Sequence, residues 1–459
     1  MKTMYEKETG LSLVHSTPSK YMWNHDIQKG PPTEEAWVKL YPENKETQYC
    51  LKNGRIEFII PKDGWYEFDK GFISFQPTTV GSGLDTTVGT YLALPQYCHA
   101  SIWERVKLEM DGNKEIEYIQ KYGQISTIKL RNTLNGPQVS GFSGTNCFGR
   151  QTERVGYITD NTRIYGPIHL QSLTDRPMPI KYIRGQSKLT FYLCQNHQLE
   201  SDYTTPDLGI QDCQLYVKRL IHAPEFDRKY LAQKLVMKYQ TWNQQTVALT
   251  SGVQKFTIEL NTSSRNLRGL CWSIIAATDV QLKSRKGKYF RPVHIDAVTG
   301  STQKWLQFKV GSFLWPQEKI DLRDSGLLYI YNQEFWDWIA SGEERFKSTK
   351  NMIGGKVEAA LSYNNAGTGT LFDPTNEFDN NFGNQANFPS FLFETNANEG
   401  FQSGVDATEN IHKLIMEIDF GAAIITSHEM TIFFAEERVV TFNPVASRGE
   451  TEYEVTYMM

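Results

Sequence analysis

The chain of 459 residues contains no apolar run approaching the ~18 residues that a bilayer-crossing helix needs, which excludes such a helix. Met1-Lys2 does not open onto the apolar stretch of a secretory signal, so none is expected. Excess positive charge is also missing. A formal net charge of −4 gives no general attraction to phosphates, so strong direct binding of nucleic acid is not expected. Six cysteines (Cys50, Cys98, Cys147, Cys194, Cys213 and Cys271) stand apart without a CxxC, which argues against a zinc knuckle or a redox pair. Structural thiols in a reducing compartment are the expectation.

Catalytic patterns are equally scarce. His428-Glu429 opens HEMTI, not HExxH, within an apparent strand, so zinc-protease geometry is absent. Asp373–Asp379 spaces oxygen ligands at alternate positions but sets Phe378 where a calcium loop turns on glycine. Gly81-Ser82-Gly83 lacks the lysine of a phosphate loop, and no GxSxG occurs. Cys98, His99 and Ser101 lie too close together to form a triad without special turning. Neither a catalytic residue, a metal site nor a cofactor is expected. Paired carboxylates for sugar chemistry are set in space rather than in sequence, so a carbohydrate-binding or glycoside-active β-sandwich stays open as the enzyme alternative.

What the chain does have is aromatics and turns: 25 Phe, 23 Tyr, 10 Trp, 34 Gly and 18 Pro. In Gly54–Gln76, Ile56, Phe58 and Ile60 alternate with Arg55, Glu57 and Ile59, and Pro61-Lys62-Asp63-Gly64 breaks the run. In the next stretch Trp103, Val106, Leu108 and Met110 precede the hairpin signal Asp111-Gly112. Both read as antiparallel strands with one buried face. Further strands are read at Lys188–Cys194 and Gln214–Ile221, and a short helix over Gln124–Leu134. Ala223–Gln244 reads as a helical connector, with Leu231, Leu235 and Tyr239 at i, i+4, i+8. An amphipathic helix is read from Tyr331, Phe335 and Trp338.

Three phrases recur in order about 200 to 220 residues apart, which points to a duplicated β-domain. Val253–Leu260 alternates as Gly54–Ile60 does, and Met430–Phe442 echoes Leu215–Ile221. Lys304–Val310 repeats Trp103–Leu108, which sets Trp305 beside Trp103 as an equivalent buried residue. The expected layout is an arm at 1–45, a first unit at 46–222, a connector at 223–244, a second unit at 245–445 and a tail at 446–459. The arm's six lysines are cancelled by six acids, so it is not expected to neutralise packaged nucleic acid. Two long polar excursions, Asn135–Arg163 and Asn364–Pro389, are too long for hairpin turns. The second carries Phe372, Phe378, Phe382 and Phe388, the candidate subunit-interface residues.

The order GRIEFIIP, WYEFDKGFISFQ, then Pro95-Gln96-Tyr97-Cys98-His99 leading into SIWERVKLEMDGNKEIE resembles major capsid proteins with two tandem jelly rolls, the lineage of adenovirus hexon, virophages and Polinton-like viruses. Val106–Gly112 fits that family's strand-and-turn phrase, and Pro224 falls where the chain crosses to the second roll. Val253–Leu260, Leu414–Phe420 and Met430–Phe442 match strands of the second roll, so the similarity spans roughly residues 50–445. The resemblance implies an all-β protein of two tandem eight-stranded jelly-roll β-sandwiches with a few short helices and long loops. It further implies a structural, non-enzymatic virion protein, a homotrimer of pseudo-hexagonal outline that tiles an icosahedral shell around a DNA genome. Penton and minor capsid proteins would be its other partners. A single jelly roll with large loops, as in parvovirus-type shells, is the alternative architecture.

Overall fold

The computed structural model describes residues 34–44, 46, 49–50, 54–80, 92–93, 98–133, 162–174, 177–194, 200–201, 207–225, 227, 234–262, 267–277, 305–310, 313–321, 330–332, 334–336, 390–393, 413–425, 427–447 and 450–458. Twenty strands dominate them. The first half holds β1 (Glu34–Leu40), β2 (Tyr49–Cys50), β3 (Arg55–Ile60), β4 (Trp65–Val80), β5 (Leu92–Ala93), β6 (Trp103–Met110), β7 (Lys114–Gln120), β8 (Ile164–Pro167), β9 (Ser187–Leu193), β10 (Glu200–Ser201) and β11 (Asp207–Ile221). The second holds β12 (Leu235–Leu249), β13 (Lys255–Glu259), β14 (Leu267–Ala276), β15 (Trp305–Val310) and β16 (Phe313–Asp321). It closes with β17 (Ser390–Leu392), β18 (Leu414–Asp419), β19 (His428–Ser447) and β20 (Glu450–Met458).

The sheets run β1-β11-β4-β8 and β3-β9-β6-β7 in the first half, and β12-β19-β14-β17 and β13-β18-β15-β16 in the second. The short strands β2, β5 and β10 and the final β20 lie outside this plan. Counted without them, each half shows the order 1-8-3-6 facing 2-7-4-5, all antiparallel. That order defines a jelly roll, and it occurs twice. All three sequence echoes fall on equivalent strands: β3 with β13, β6 with β15, and β11 with β19.

Period-2 alternation builds each core. Ile56, Phe58 and Ile60 of β3 point inward while the residues between them stay wetter. Phe75 and Phe191 pack against Trp103 with ring centroids 5.7 and 5.0 Å away. In the second roll Phe308 meets Phe391 and Phe393 at 4.9 and 5.1 Å, beside buried Trp272, Met416 and Phe434. Each such ring contributes roughly 1.5–3 kcal/mol on burial.

Four expectations are corrected. Glu34–Leu40, read as the end of an arm, is a strand paired along all seven residues with β11, Glu34 opposite Ile221 and Leu40 opposite Leu215. Leu235 and Tyr239, read as helical, lie on β12, the first strand of the second roll. Spacings of four and eight are even numbers, so they suit one face of a strand as well as a helix. Glu450–Met458, read as a tail, pairs with β19 as a hairpin. Finally, Trp103 is fully buried but Trp305 is only half-buried. Residues three apart on a regular strand face opposite sides, and only the bulge between Trp103 and Arg105 turns Trp103 inward with Val106. β15 pairs with β18 without a break from Trp305 to Phe308, so Trp305 faces out where Phe308 faces in.

The helix expected over Gln124–Leu134 is observed at Tyr122–Thr133 (α2), after a short turn of helix at Cys98–Ser101 (α1). Of the second expected helix, residues 330–332 and 334–336 are helical, with Phe335 and Trp336 buried, and Trp338 lies outside the described residues.

Candidate functional site

The two rolls meet along one joint. The sheet β12-β19-β14-β17 is covered on both faces. Its even positions on β19 and β14, Met430, Ile432, Phe434, Leu270, Trp272 and Ile274, fill the second core. Its other face turns to the first roll, where Tyr239, Cys271, Phe433 and Ala435 belong to the same apolar cluster as Ile116 and Ile180. The Tyr239 hydroxyl donates to the Ile116 carbonyl.

Polar contacts rim this joint. Lys121 stands in the left-handed region at φ 50°, between β7 and α2. That turn aims its Nζ at Glu429 Oε1 (3.1 Å), Thr246 Oγ1 (2.9 Å) and Thr431 Oγ1 (2.8 Å) of the second roll. Gln124 Nε2 of α2 donates to Ser273 Oγ at 2.7 Å. β20 straps the joint from the far side. Arg184 N donates to the Tyr453 carbonyl (2.9 Å), Val455 N to Asp111 Oδ2 (3.2 Å), and Lys62 pairs with Glu452 (3.2 Å).

Several titratable groups are buried. The His99 and His169 rings share a hydrogen bond between their Nε2 atoms at 3.3 Å. Burial holds His99 down at about 3 and His169 well below its ordinary value, so both are neutral. Gly166 is required there, because a Cβ would sit 2.1 Å from the His99 ring. Glu117 is pushed up to about 7 by burial, against the opposing bonds from the Ser172 N–H (3.0 Å) and hydroxyl. Asp227, between the rolls, accepts from Trp65 Nε1 (3.1 Å) and from the Tyr182 hydroxyl. Cys98, Cys194, Cys213 and Cys271 are in no disulfide, and all are buried. Among the described residues no cluster of His, Cys, Asp or Glu could hold a metal.

A shallow groove beside Trp305 is lined by Glu417 and Asp419. Lys309 Nζ engages Glu417 at 2.5 Å. At Asp419 burial pushes upward, but Gln254, the Gly421 N–H and Lys255 outweigh it and hold the carboxyl below its ordinary value. A glycosidase acid needs the opposite shift from the one at Asp419.

Aromatic side chains cross the outer face of the sheet β1-β11-β4-β8. Phe72 stacks on Tyr216 (4.7 Å) and contacts Trp37 and Tyr165 (5.9 Å each). Lys39 Nζ lies 5.1 Å over the Tyr41 ring. Trp37 and Tyr41 are each 55 % exposed and Tyr165 38 %. Trp37, Tyr41, Tyr165 and Tyr216 carry no motif in the sequence, and only alternation along the strands marks the face. Phe372, Phe378, Phe382 and Phe388 lie outside the described residues.

The chain shares the fold of double jelly-roll major capsid proteins. PBCV-1 VP54, as fitted into a reconstruction of the virophage Sputnik, aligns with a TM-score of 0.56 at 9 % identity, over 93 % of this chain and 98 % of its own. The Faustovirus major capsid protein aligns at 0.54 and 10 % identity, over 90 % and 91 %. The Sputnik virophage structure aligns at 0.52 and 10 % identity, over 94 % and 90 %. No protein-family model and no curated protein sequence matches the chain.

Proposed function

We propose that this protein is a viral major capsid protein, a structural subunit of the virion without catalytic activity. The observation that carries this reading is the twice-repeated jelly roll, aligned nearly end to end with capsid subunits of the same plan. In this reading three chains form a pseudo-hexagonal capsomer and capsomers tile an icosahedral shell around a DNA genome, with penton and minor capsid proteins completing it. Phe372, Phe378, Phe382 and Phe388 would add subunit contacts. The near-neutral segment ahead of β1 would tie capsomers together rather than condense the genome.

Sedimentation of the purified chain at micromolar concentration tests it. A particle of three 52.7 kDa chains, hexagonal in negative stain, is the expected outcome. A stable, soluble monomer would contradict it.

A further inference from the structure

The joint between the rolls encloses a carboxyl with no cation paired to it. Glu117 of the first roll is fully buried where β7 meets β12 of the second. Its Oε2 accepts from the N–H (3.0 Å) and the hydroxyl of Ser172, on the turn of helix Gln171–Thr174, which also packs on β12. Its Oε1 lies beside the Thr241 hydroxyl of β12. Among the described residues neither Oε1 nor Thr241 Oγ1 has a hydrogen-bond partner, and Glu117 makes no ion pair.

The other ionisable groups around it are engaged elsewhere. Tyr122 of α2 accepts from the His169 N–H (2.8 Å), and Lys129 of α2 turns to Gln171 (3.4 Å). The His169 ring bonds to His99, and the Tyr239 hydroxyl of β12 to the Ile116 carbonyl. Arg438 of β19 pairs with Glu436 (3.8 Å) and favours a charged Glu117 only from a distance. A carboxyl so placed is stable when neutral. Ionised, it is an uncompensated charge in a dry interface, and separation of the rolls would return it to water.

We infer that Glu117 is a proton-operated latch: protonated, it lets the first roll close on β12, and ionisation favours parting of the two rolls along their joint. Burial lifts the carboxyl to about 7, against an ordinary 4.5. The latch is therefore complete below 4.5, weakens as pH rises and is released by the time pH has passed 7. The histidine pair does not share this response. His99 and His169 lie within the first roll, between α1, β8 and α2, and stay there when the joint parts. Acid tightens the joint even though it acts against the histidines.

Cys271 reports on the joint. It is buried on the face of β14 that the first roll covers, whereas Cys98 and Cys194 are buried inside the first roll. The intact chain is treated with a thiol-specific reagent over a range from about pH 5 to about pH 9. Modification of each cysteine is read by peptide mass spectrometry and divided by its rate in the denatured chain at the same pH. The corrected rate at Cys271 should climb about tenfold per pH unit up to about 7 and level off beyond it, while Cys98 and Cys194 do not follow. Glu117→Gln keeps the shape of the neutral acid and should leave Cys271 slow at every pH. Ser172→Ala withdraws a donor from the carboxylate and should carry the rise at Cys271 beyond pH 7, a shift that another acid in the joint would not show. Should the first variant not fold, the second decides alone. A Cys271 rate flat with pH, one that rises as steeply in Glu117→Gln, one unmoved by Ser172→Ala, or one matched by Cys98 and Cys194 would overturn the latch.

Discussion

At the scale of single residues, the buried groups oppose one another in their response to pH. His99 and His169 are neutral in the fold, while an unfolded histidine titrates near 6.5. As pH falls below 6.5 the unfolded chain takes up protons that the fold refuses, so stability drops. Glu117 works the other way. Its folded value near 7 lies above the ordinary 4.5, so its contribution is complete below 4.5 and is lost as pH rises through 7. Between 6.5 and 4.5 the histidines therefore lower stability on acidification while Glu117 opposes them. Glu117→Gln removes the opposing group, so the loss of stability on acidification should steepen by about 1.4 kcal/mol per pH unit over that window in denaturant titrations. A slope parallel to wild type would contradict this account. Asp227→Ala removes the acceptor shared by the Trp65 N–H and the Tyr182 hydroxyl. A loss of about 2–4 kcal/mol is expected by chemical denaturation, with Asp227→Asn recovering part of it.

At the scale of elements, β1 is an edge strand whose removal bares the flank of β11. Deleting residues 1–33 should leave a foldable protein. Deleting 1–40 bares the unpaired backbone groups of β11 from Leu215 to Ile221, and aggregation on purification is expected. Equal solubility of the two truncations would count against that role. The same strand shows where sequence reading runs out. Trp37 and Lys39 alternate with Val38 and Leu40, but four prolines and a mixed charge pattern nearby hide so short a run. β12 was hidden differently. Met237, Lys238, Tyr239, Thr241 and Trp242 are all buried, and a strand covered on both faces loses the alternation that announces strands. By contrast β3 and β6 were legible because one face of each stays wet.

At the scale of the whole molecule, duplication was legible because paired strands repeat at a common offset, whereas the joint was not. Lys121, Gln124 and Glu117 are ordinary polar residues until folding brings a second roll against them, and no spacing along the chain announces that meeting. The joint also decides how the molecule unfolds. Ile116, Ile180 and Ile183 share one apolar cluster with Tyr239, Phe433 and Tyr453, so neither roll keeps its full core without the other. One cooperative transition is therefore expected for the intact chain by calorimetry, despite two complete jelly rolls. β20 and Lys121 hold that coupling from opposite sides. Removing residues 448–459 strips Tyr453 and Val455 from the cluster and frees Arg184, Asp111 and Lys62 of their partners across the joint. Adding Lys121→Ala removes three further bonds. The combined variant should unfold in two steps, with the second roll, exposed along β19, melting first. A single transition at the wild-type midpoint would show that the rolls are coupled by something other than this joint.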